Sequence, residues 1–256
     1  MYEDTEYGIC MVIPWAAHGS VNEYLTTLRE NGAMSKEALP PRFNKWLCHV
    51  ALGLEYLHQE KIVHGNLHCG SIVIDVGDNA LLTDYGLGVL PEASPLNYAS
   101  TYGGGGFTHR APELHDPEVF GMTLPSLTPR TDVYAFACTA VELYTGKPLF
   151  GIMSFYEISI TIVSGRRPQR PTERPDSPEV NMSDSMWFLT QQCWKQEPGE
   201  RPIAQDVTRD MDIIASGQEL VQRKGKKRSS NEYPPESSDQ ASPFPSIGGC
   251  CQCLIA

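Results

Sequence analysis

The sequence lacks any apolar run long enough to span a membrane. Residues 9–13 are apolar, but the run ends at Pro14 and is far shorter than the roughly 20 residues that a helix needs to cross a bilayer. Glu3 and Asp4 stand where a secretory signal peptide carries basic residues, and no apolar segment of signal-peptide length follows them. We therefore expect a cytoplasmic protein without a transmembrane helix.

Basic residues are scarce. The 256 residues include 20 Lys and Arg against 31 Asp and Glu, which gives a formal net charge of −11. Five of the bases and four of the acids lie in residues 217–256, so the rest of the chain carries −12. Neutralising the phosphates of a nucleic acid requires a basic face. We therefore expect no nucleic-acid partner.

The eight cysteines are not arranged as a disulfide framework. A chain of 256 residues that is 41% hydrophobic is long enough to bury a core without cross-links. Five cysteines lie singly and are predicted to be reduced and buried: Cys10, Cys48, Cys69, Cys138 and Cys193. The other three lie in the last seven residues, where little core is left to bury them, and they need another explanation.

Helical periodicity predicts four core helices. Pro40 and Pro41 open the first, Gly146 ends the second, Ser183 caps the third and Pro202 precedes the fourth. Their apolar positions are, in order, Phe43, Leu47, Val50, Leu54 and Leu57; Val133, Phe136, Ala137, Ala140 and Leu143; Trp187, Leu189 and Trp194; and Ile203, Val207, Met211 and Ile214.

A short β-hairpin is predicted between the first two helices. Residues 71–75 and 79–83 are apolar or β-branched, and Gly77 and Asp78 between them form a turn dipeptide. After Gly217 the periodicity ends, and residues 223–246 mix Lys, Ser, Pro and Glu with few large apolar side chains. Such a segment buries too little apolar surface to order itself, so we predict a disordered tail over residues 217–256.

Three motifs follow one another at a spacing typical of one enzyme family. Residues 64–71 read His-Gly-Asn-Leu-His-Cys-Gly-Ser, residues 84–86 Asp-Tyr-Gly, and residues 111–113 Ala-Pro-Glu. They resemble the catalytic loop, the metal-binding motif and the end of the activation segment of a protein kinase. Further segments, residues 165–171, 193–194 and 200–202, resemble stretches around the last three helices of the tyrosine-kinase-like group.

The resemblance, which covers residues 7–216, implies a mainly α fold. This fold is the kinase C-lobe, a helical bundle with a small β-hairpin. By alignment, residues 7–13 are the last N-lobe strand, and no other part of an N-lobe is present. The implied domains are residues 1–19 as a remnant of that strand and the hinge, residues 20–216 as the C-lobe, and residues 217–256 as the tail.

The resemblance also assigns structural roles. Glu113 should pair with Arg201, and Asp132 should hold the backbone of the catalytic loop, in which His64 is a structural residue. Residues 132–136 should open the central helix.

The residues that carry phosphoryl transfer depart from the family pattern. Asn66 stands at the position of the catalytic aspartate, and His68 at the position of the lysine that meets the γ-phosphate. Ser71 replaces the asparagine that binds a second Mg²⁺, which leaves Asp84 as a metal ligand. Gly106 replaces a threonine that serine/threonine kinases place beside the catalytic aspartate. We therefore expect no catalytic residue.

Half of the nucleotide site has no counterpart in the sequence. The glycine-rich loop, its lysine and the glutamate that pairs with this lysine would precede residue 7. By resemblance, a nucleotide would contact hinge and cleft residues Ile13, Trp15, Ala16 and Val73. The prediction is that no cofactor is required, and binding of ATP and Mg²⁺ is the disfavoured alternative.

The last four residues, Cys253 to Ala256, match the pattern of a prenylation substrate. One lipid anchors a protein only marginally; palmitate on Cys250 or Cys251 and the basic run 224–228 offer further membrane contacts. We expect attachment to the inner leaflet. A zinc site on Cys250 and Cys253 is disfavoured because no second ligand pair follows. Nuclear import through residues 224–228 is the alternative location.

Together these features predict a catalytically inactive, kinase-derived scaffold that binds an unidentified protein partner at a membrane. One alternative is an active serine/threonine kinase whose N-lobe lies outside this sequence. Another is a decayed fragment without a stable fold.

Overall fold

The computed structural model describes residues 2–4, 8–10, 15–32, 35–85, 105–173 and 180–220, with the backbone alone for the first two ranges. These residues form seven α-helices and two small antiparallel sheets. The elements are β1 (Tyr2–Asp4), β2 (Gly8–Cys10), α1 (Val21–Glu30), α2 (Leu39–Gln59), β3 (Ile72–Ile74), β4 (Ala80–Leu82), α3 (Pro112–His115), α4 (Pro129–Thr145), α5 (Phe155–Val163), α6 (Asp184–Cys193) and α7 (Ala204–Ala215). The fold is mainly helical, as the sequence predicted.

Helix α2 forms one side of the core. Pro40 and Pro41 lie in its first turn, where the missing N–H groups of proline cost no helical hydrogen bond. The predicted stripe of five apolar residues is buried, and the helix packs against α4 and α7. The prediction from the 3,4-spacing is therefore confirmed.

Helix α4 runs through the middle of the lobe. Thr128 caps its N-terminus by accepting a hydrogen bond from the backbone N–H of Thr131, and Gly146 ends it in the left-handed conformation at φ 60°. Residues 131–141 are all buried, so this helix is covered on every side. It begins at Pro129, three residues before the predicted start at Asp132.

The last two predicted helices are also present. Ser183 caps α6 by accepting a hydrogen bond from the backbone N–H of Met186, and α7 buries Val207 and Met211. Ile203 differs from the prediction because it is the N-cap residue of α7 and is 42% exposed. It therefore lies outside the apolar face of that helix.

The hairpin has the predicted position with shorter strands. β3 pairs with β4 in the register Ile72↔Leu82. The turn is closed by Asp75, whose Oδ1 accepts hydrogen bonds from the backbone N–H groups of Gly77 and Asn79 at 2.8 Å each. This hairpin lies directly after the catalytic-loop motif and directly before Asp84.

The N-terminal segment contains one strand more than the sequence predicted. β2 corresponds to the strand expected over residues 7–13, and β1 pairs with it in the register Tyr2↔Cys10. Further along the chain, the N–H of His18 donates to the carbonyl of Ile74 at 3.2 Å, and Ser20 forms a bridge with Val73. These contacts fix the start of the helical lobe to the hairpin.

The described cysteines are buried thiols without disulfides, namely Cys48, Cys69, Cys138 and Cys193. Burial raises the pKa of Cys138 to about 12, so this thiol is inert at neutral pH. The side chain of Cys10 and the three C-terminal cysteines lie outside the described residues. Within the described ranges, no helix combines the length and the apolar character that crossing a bilayer requires.

Candidate functional site

The loop that follows α2 is held by one buried carboxylate. Asp132, in the first turn of α4, accepts hydrogen bonds from the backbone N–H groups of His64 and Gly65 at 2.8 Å each. Its Oδ2 also lies 2.8 Å from Nε2 of His58. Gly65 has a φ of 74°, a conformation that glycine adopts without strain. The contact between Asp132 and the loop that the resemblance implied is present.

His64 lies in the interior beside this carboxylate. It is fully buried, and burial lowers the pKa of its imidazole against the opposing effect of Asp132. Its Nδ1 accepts a hydrogen bond from the N–H of Asn66 at 3.3 Å. Because Nδ1 accepts this hydrogen bond, it carries no proton, and the His64 imidazole is therefore neutral. His64 is therefore placed to shape the loop.

Asn66 lies against Gly106, at the start of the segment that leads to α3. A Cβ atom at position 106 would overlap Oδ1 of Asn66, so the absence of a side chain at Gly106 makes room for the amide. Among the described residues, Nδ2 of Asn66 is buried without a hydrogen-bond partner. The cavity that Asn66 and Gly106 line with His109 and Arg110 measures about 20 Å³, room for no more than a water molecule.

The His68 side chain folds back on its own turn. Its Nδ1 accepts a hydrogen bond from the N–H of Gly70 at 3.0 Å. Burial and the neighbouring His109 lower the pKa of His68 to about 4. At neutral pH this side chain is uncharged, whereas the lysine expected here would carry a positive charge.

Ser71 is fully buried and tied into the same turn. Its hydroxyl donates to the carbonyl of His68 and accepts from the N–H of His68, both at 3.0 Å. Through these two hydrogen bonds, the Ser71 side chain stabilises the start of the turn Cys69–Ser71. It stands where the resemblance puts the second metal ligand.

Asp84 has a left-handed backbone, with φ at 61°. Few residues other than glycine adopt this region, although Asp is among the more tolerant. Its Oδ1 lies 3.5 Å from the Thr83 hydroxyl. Asp84 is thus a carboxylate in an unusual backbone conformation, at the position where the resemblance puts a metal ligand.

Across the described ranges, no group of three or more His, Cys, Asp or Glu side chains is placed to hold a metal ion. Asp84 contributes one carboxylate, while the hydroxyl of Ser71 is engaged with His68. The magnesium and nucleotide phosphates that the resemblance implies require several oxygen ligands and a nearby cation. The side chains present at these positions do not fit that requirement.

The structure adds a residue that the sequence analysis did not select. Glu142 on α4 accepts hydrogen bonds at Oε2 from the N–H of Cys69 at 2.9 Å and lies 3.1 Å from Nε2 of His109. Burial alone would raise the pKa of Glu142, but its interactions with His109 and Cys69 lower it to about 2. This carboxylate joins the loop around Asn66 to the segment that carries Gly106. The sequence signal was an acid near the end of a buried helix.

A second buried carboxylate anchors the end of that segment. Glu113 in α3 receives two hydrogen bonds from Arg201, from Nη1 to Oε1 at 2.6 Å and from Nη2 to Oε2 at 2.7 Å. Both side chains are almost fully buried. Arg201 also donates to the carbonyl oxygens of Lys195 and Gln196. The pairing that the resemblance implied is therefore present.

The predicted hinge and cleft residues do not form a described cavity. Trp15 is 91% exposed, and the carbonyl of Ala16 accepts a hydrogen bond from the N–H of Gly19 at 3.2 Å. Val73 is half-buried on β3. They line neither the cavity beside Asn66 and Gly106 nor the groove beside Tyr144 and Met182. Ile13 lies outside the described residues, as do Cys250, Cys251, Cys253 and the basic run 224–228.

Known proteins with similar sequences share one domain type. The profile of the family described as protein tyrosine and serine/threonine kinase matches residues 2–211. The human ankyrin repeat and protein kinase domain-containing protein 1 is 27% identical over 219 residues, which cover 82% of this chain and 27% of that protein. The serine/threonine-protein kinase STY17 of Arabidopsis thaliana is 26% identical over 195 residues, 76% of this chain and 30% of the relative.

A third relative gives the same picture. Mitogen-activated protein kinase kinase kinase 5 of Arabidopsis thaliana is 26% identical over 205 residues, 79% of this chain and 26% of that protein. The chain thus spans between 26% and 30% of the length of these three relatives.

Proposed function

The chain belongs to the protein tyrosine and serine/threonine kinase family, and we propose that it is a catalytically inactive member that acts as a binding module. The observation that carries the proposal is Asn66, an amide at the position of the family's catalytic aspartate. A carboxylate there orients the substrate hydroxyl and accepts its proton. An amide has no basic oxygen at neutral pH, so it cannot take that proton.

The surroundings of Asn66 support this proposal. Gly106 leaves space that Asn66 Oδ1 fills, so the amide packs against the segment that leads to α3. His68 is uncharged because burial lowers its pKa to about 4, so it supplies no charge to a phosphate. Loss of an acid–base group alone lowers a rate by roughly 10² to 10⁴.

The supporting framework of the site is retained, which favours a folded module over a decayed fragment. Asp132 holds the loop backbone, and Glu113 pairs with Arg201 in the interior. Such buried charges are tolerated only when each has well-placed partners. A framework that keeps these contacts while the reacting groups differ is suited to binding a partner protein without turnover.

Phosphoryl transfer tests the proposal directly. The purified chain is incubated with Mg²⁺ and radiolabelled ATP beside Asn66→Asp, which restores the carboxylate, and Asn66→Ala, which removes the polar group. We expect no transfer by the natural chain above the level of Asn66→Ala. Transfer that Asn66→Ala abolishes would instead establish an active kinase. Repeating the assay on the product of any longer coding region tests whether an N-lobe outside this sequence supplies the missing parts.

We further propose that the tail carries a lipid on Cys253 and attaches the module to the inner leaflet. The support is the match of residues 253–256 to a prenylation substrate, with Cys250 and Cys251 available for a second lipid and residues 224–228 for anionic headgroups. The proposal requires Cys253 to be the fourth residue from the end of the chain. Mass spectrometry of the C-terminal peptide from cells tests this requirement together with the modification.

Cell fractionation completes the test of the tail. Cys253→Ser should move the protein from the membrane to the soluble fraction, whereas the paired change Cys250→Ser and Cys251→Ser should weaken attachment without abolishing it. A Cys253→Ser protein that stays on membranes would contradict the proposal. Loss of nuclear protein on changing residues 224–228 to Gln would support the import alternative.

A further inference from the structure

A groove that shares no lining residue with the cavity beside Asn66 has no role in the proposed function. It is formed by the first turns of α2, the last turn of α4 and the residues between α5 and α6. Its volume is about 490 Å³, within the range of sites that hold small ligands or several side chains. The lining residues are Pro40, Asn44, Tyr144, Arg170, Pro171, Thr172, Asn181, Met182, Ser183 and Asp184.

The floor of the groove is largely apolar and its rim is charged. Tyr144 and Met182 are buried, and the Tyr144 hydroxyl donates to Oδ1 of Asn44 at 2.7 Å. On the rim, the Asp184 side chain is 95% exposed and pairs through Oδ1 with Nη1 of Arg170 at 2.6 Å. The Nε and Nη2 groups of Arg170 donate to the carbonyl of Met182. Each nitrogen of the Arg170 guanidinium thus has a partner, and the exposed carboxylate of Asp184 can accept another cation.

The end of the described chain lies at this rim. The N–H of Leu220 donates to the Ser185 hydroxyl at 3.0 Å, and Ser185 directly follows Asp184. Leu220 also packs against the core, so its position is fixed. Because an extended chain advances about 3.3 Å per residue, the next three residues can reach about 10 Å from this point, which is the scale of the groove.

The sequence that continues from Leu220 matches the groove in its chemistry. Val221 is apolar, and Arg223 and Lys224 begin the basic run. The body that they would meet carries −12. We propose that residues 221–224 of this chain bind in the groove, with Val221 on its apolar floor and the bases of Arg223 and Lys224 at Asp184. The occupant is this same chain, because its exit point, its order of residue types and its charge all fit.

Photo-cross-linking of the full chain tests the proposal. Gln222 is replaced by the photoreactive residue p-benzoylphenylalanine, and the cross-linked peptides are mapped by mass spectrometry. We expect cross-links within one chain to peptides that contain Asn44 or residues 181–184. The same photoreactive group at Ser242, further along the tail, serves as the matched control and should show no such preference.

Charge changes then separate a specific contact from mere proximity. The double change Arg223→Glu and Lys224→Glu leaves the body intact and should reduce the groove cross-links by up to about fivefold, the upper end of the range for an exposed ion pair. Asp184→Lys should have a similar effect, and combining it with the tail changes should restore the yield. Glu60→Lys alters an exposed acid after the far end of α2, about 30 Å from Pro40 by helix length, and should change nothing.

Several results of these experiments would contradict binding of the tail in the groove. Cross-links from position 222 that spread over the surface, or that join two chains, would refute the proposal. So would a yield that the tail changes leave unaltered, or one that Glu60→Lys lowers as much as Asp184→Lys does. Thermal melting of each variant shows whether a lower cross-link yield comes from unfolding. If Asp184→Lys unfolds the body, the tail variants still test the proposal, because they leave the folded body unchanged.

Discussion

Glu113 and Arg201 are 88 residues apart in the chain and meet in the interior through two parallel hydrogen bonds of 2.6 and 2.7 Å. The pair joins α3, which ends the activation segment, to the loop before α7. The Arg201 side chain is fully buried and that of Glu113 nearly so. Breaking such a pair from one side leaves a buried charge without its partner.

Glu113→Gln should therefore destabilise the fold strongly. We expect a loss of about 3–5 kcal/mol in the free energy of unfolding, the usual cost of removing one partner from a buried pair. Urea denaturation followed by circular dichroism measures it. The control is Asp206→Asn, which removes the half-buried partner of the exposed Arg209 and should cost less than about 1 kcal/mol. Equal losses in the two variants would contradict the structural role of Glu113.

Asp132→Asn should loosen the loop around Asn66. The carboxylate receives the N–H groups of His64 and Gly65 and contacts His58. An asparagine has a single acceptor oxygen, so at least one buried donor loses its partner, at a cost of about 1–3 kcal/mol. Hydrogen exchange of the His64 and Gly65 amides should accelerate.

The comparison for this variant is Asp212→Asn, since Oδ1 of Asp212 has the weaker thiol donor of Cys48 as its partner. We expect it to leave the exchange of the His64 and Gly65 amides unchanged. Unchanged exchange in Asp132→Asn as well would show that the loop does not depend on this carboxylate.

Acidification should destabilise the protein through His68. Burial, with the neighbouring His109 and His64, lowers its pKa from 6.5 to about 4 in the folded state against the opposing effect of Glu142. Between these two values the unfolded chain binds a proton that the folded chain does not. Stability is therefore complete above pH 6.5 and falls as the pH drops towards 4, by at most about 3 kcal/mol from this group.

Removing the imidazole should flatten this dependence. His68→Gln carries no titrating group, so the free energy of unfolding between pH 7 and 4 should fall less steeply than in the natural chain. Urea denaturation at several pH values measures the slope. His115→Gln is the companion variant, because burial also lowers the pKa of His115 to about 4 and its effect should be similar. An unaltered slope in His68→Gln would mean that this ring is charged in the folded protein.

Gly106→Ala should disturb Asn66. The added methyl group would overlap Oδ1 of Asn66, so we expect a loss of about 1 kcal/mol as the amide is driven from its rotamer. Combining Gly106→Ala with Asn66→Ala should recover most of this loss, which a double-mutant cycle quantifies. Gly199→Ala has nothing within 4 Å of the new atom and should be close to neutral. Additive losses at positions 66 and 106 would show that the two residues do not touch.

Local patterns were enough to predict most of the framework. The stripe on α2, the stop of α4 at Gly146 and the cap of α6 at Ser183 each depend on neighbours within one or two turns. Three of the described helices were not predicted, namely α1, α5 and the four-residue α3. The capping box of Ser20 and Glu23 marked the first, while α5 exposes apolar residues such as Tyr156 and so lacks a clean stripe.

Some features of the candidate site could likewise be predicted from the sequence, and others could not. The sequence alone determined which groups are available, since Asn66, His68 and Ser71 differ from the family pattern whatever the fold. Tertiary structure alone decided that Glu142 receives the N–H of Cys69 across 73 positions and that Gly106 lies against Asn66. The physical reason is that periodicity fixes the face on which a side chain lies, whereas the distance between residues far apart in the chain is set by how whole elements pack.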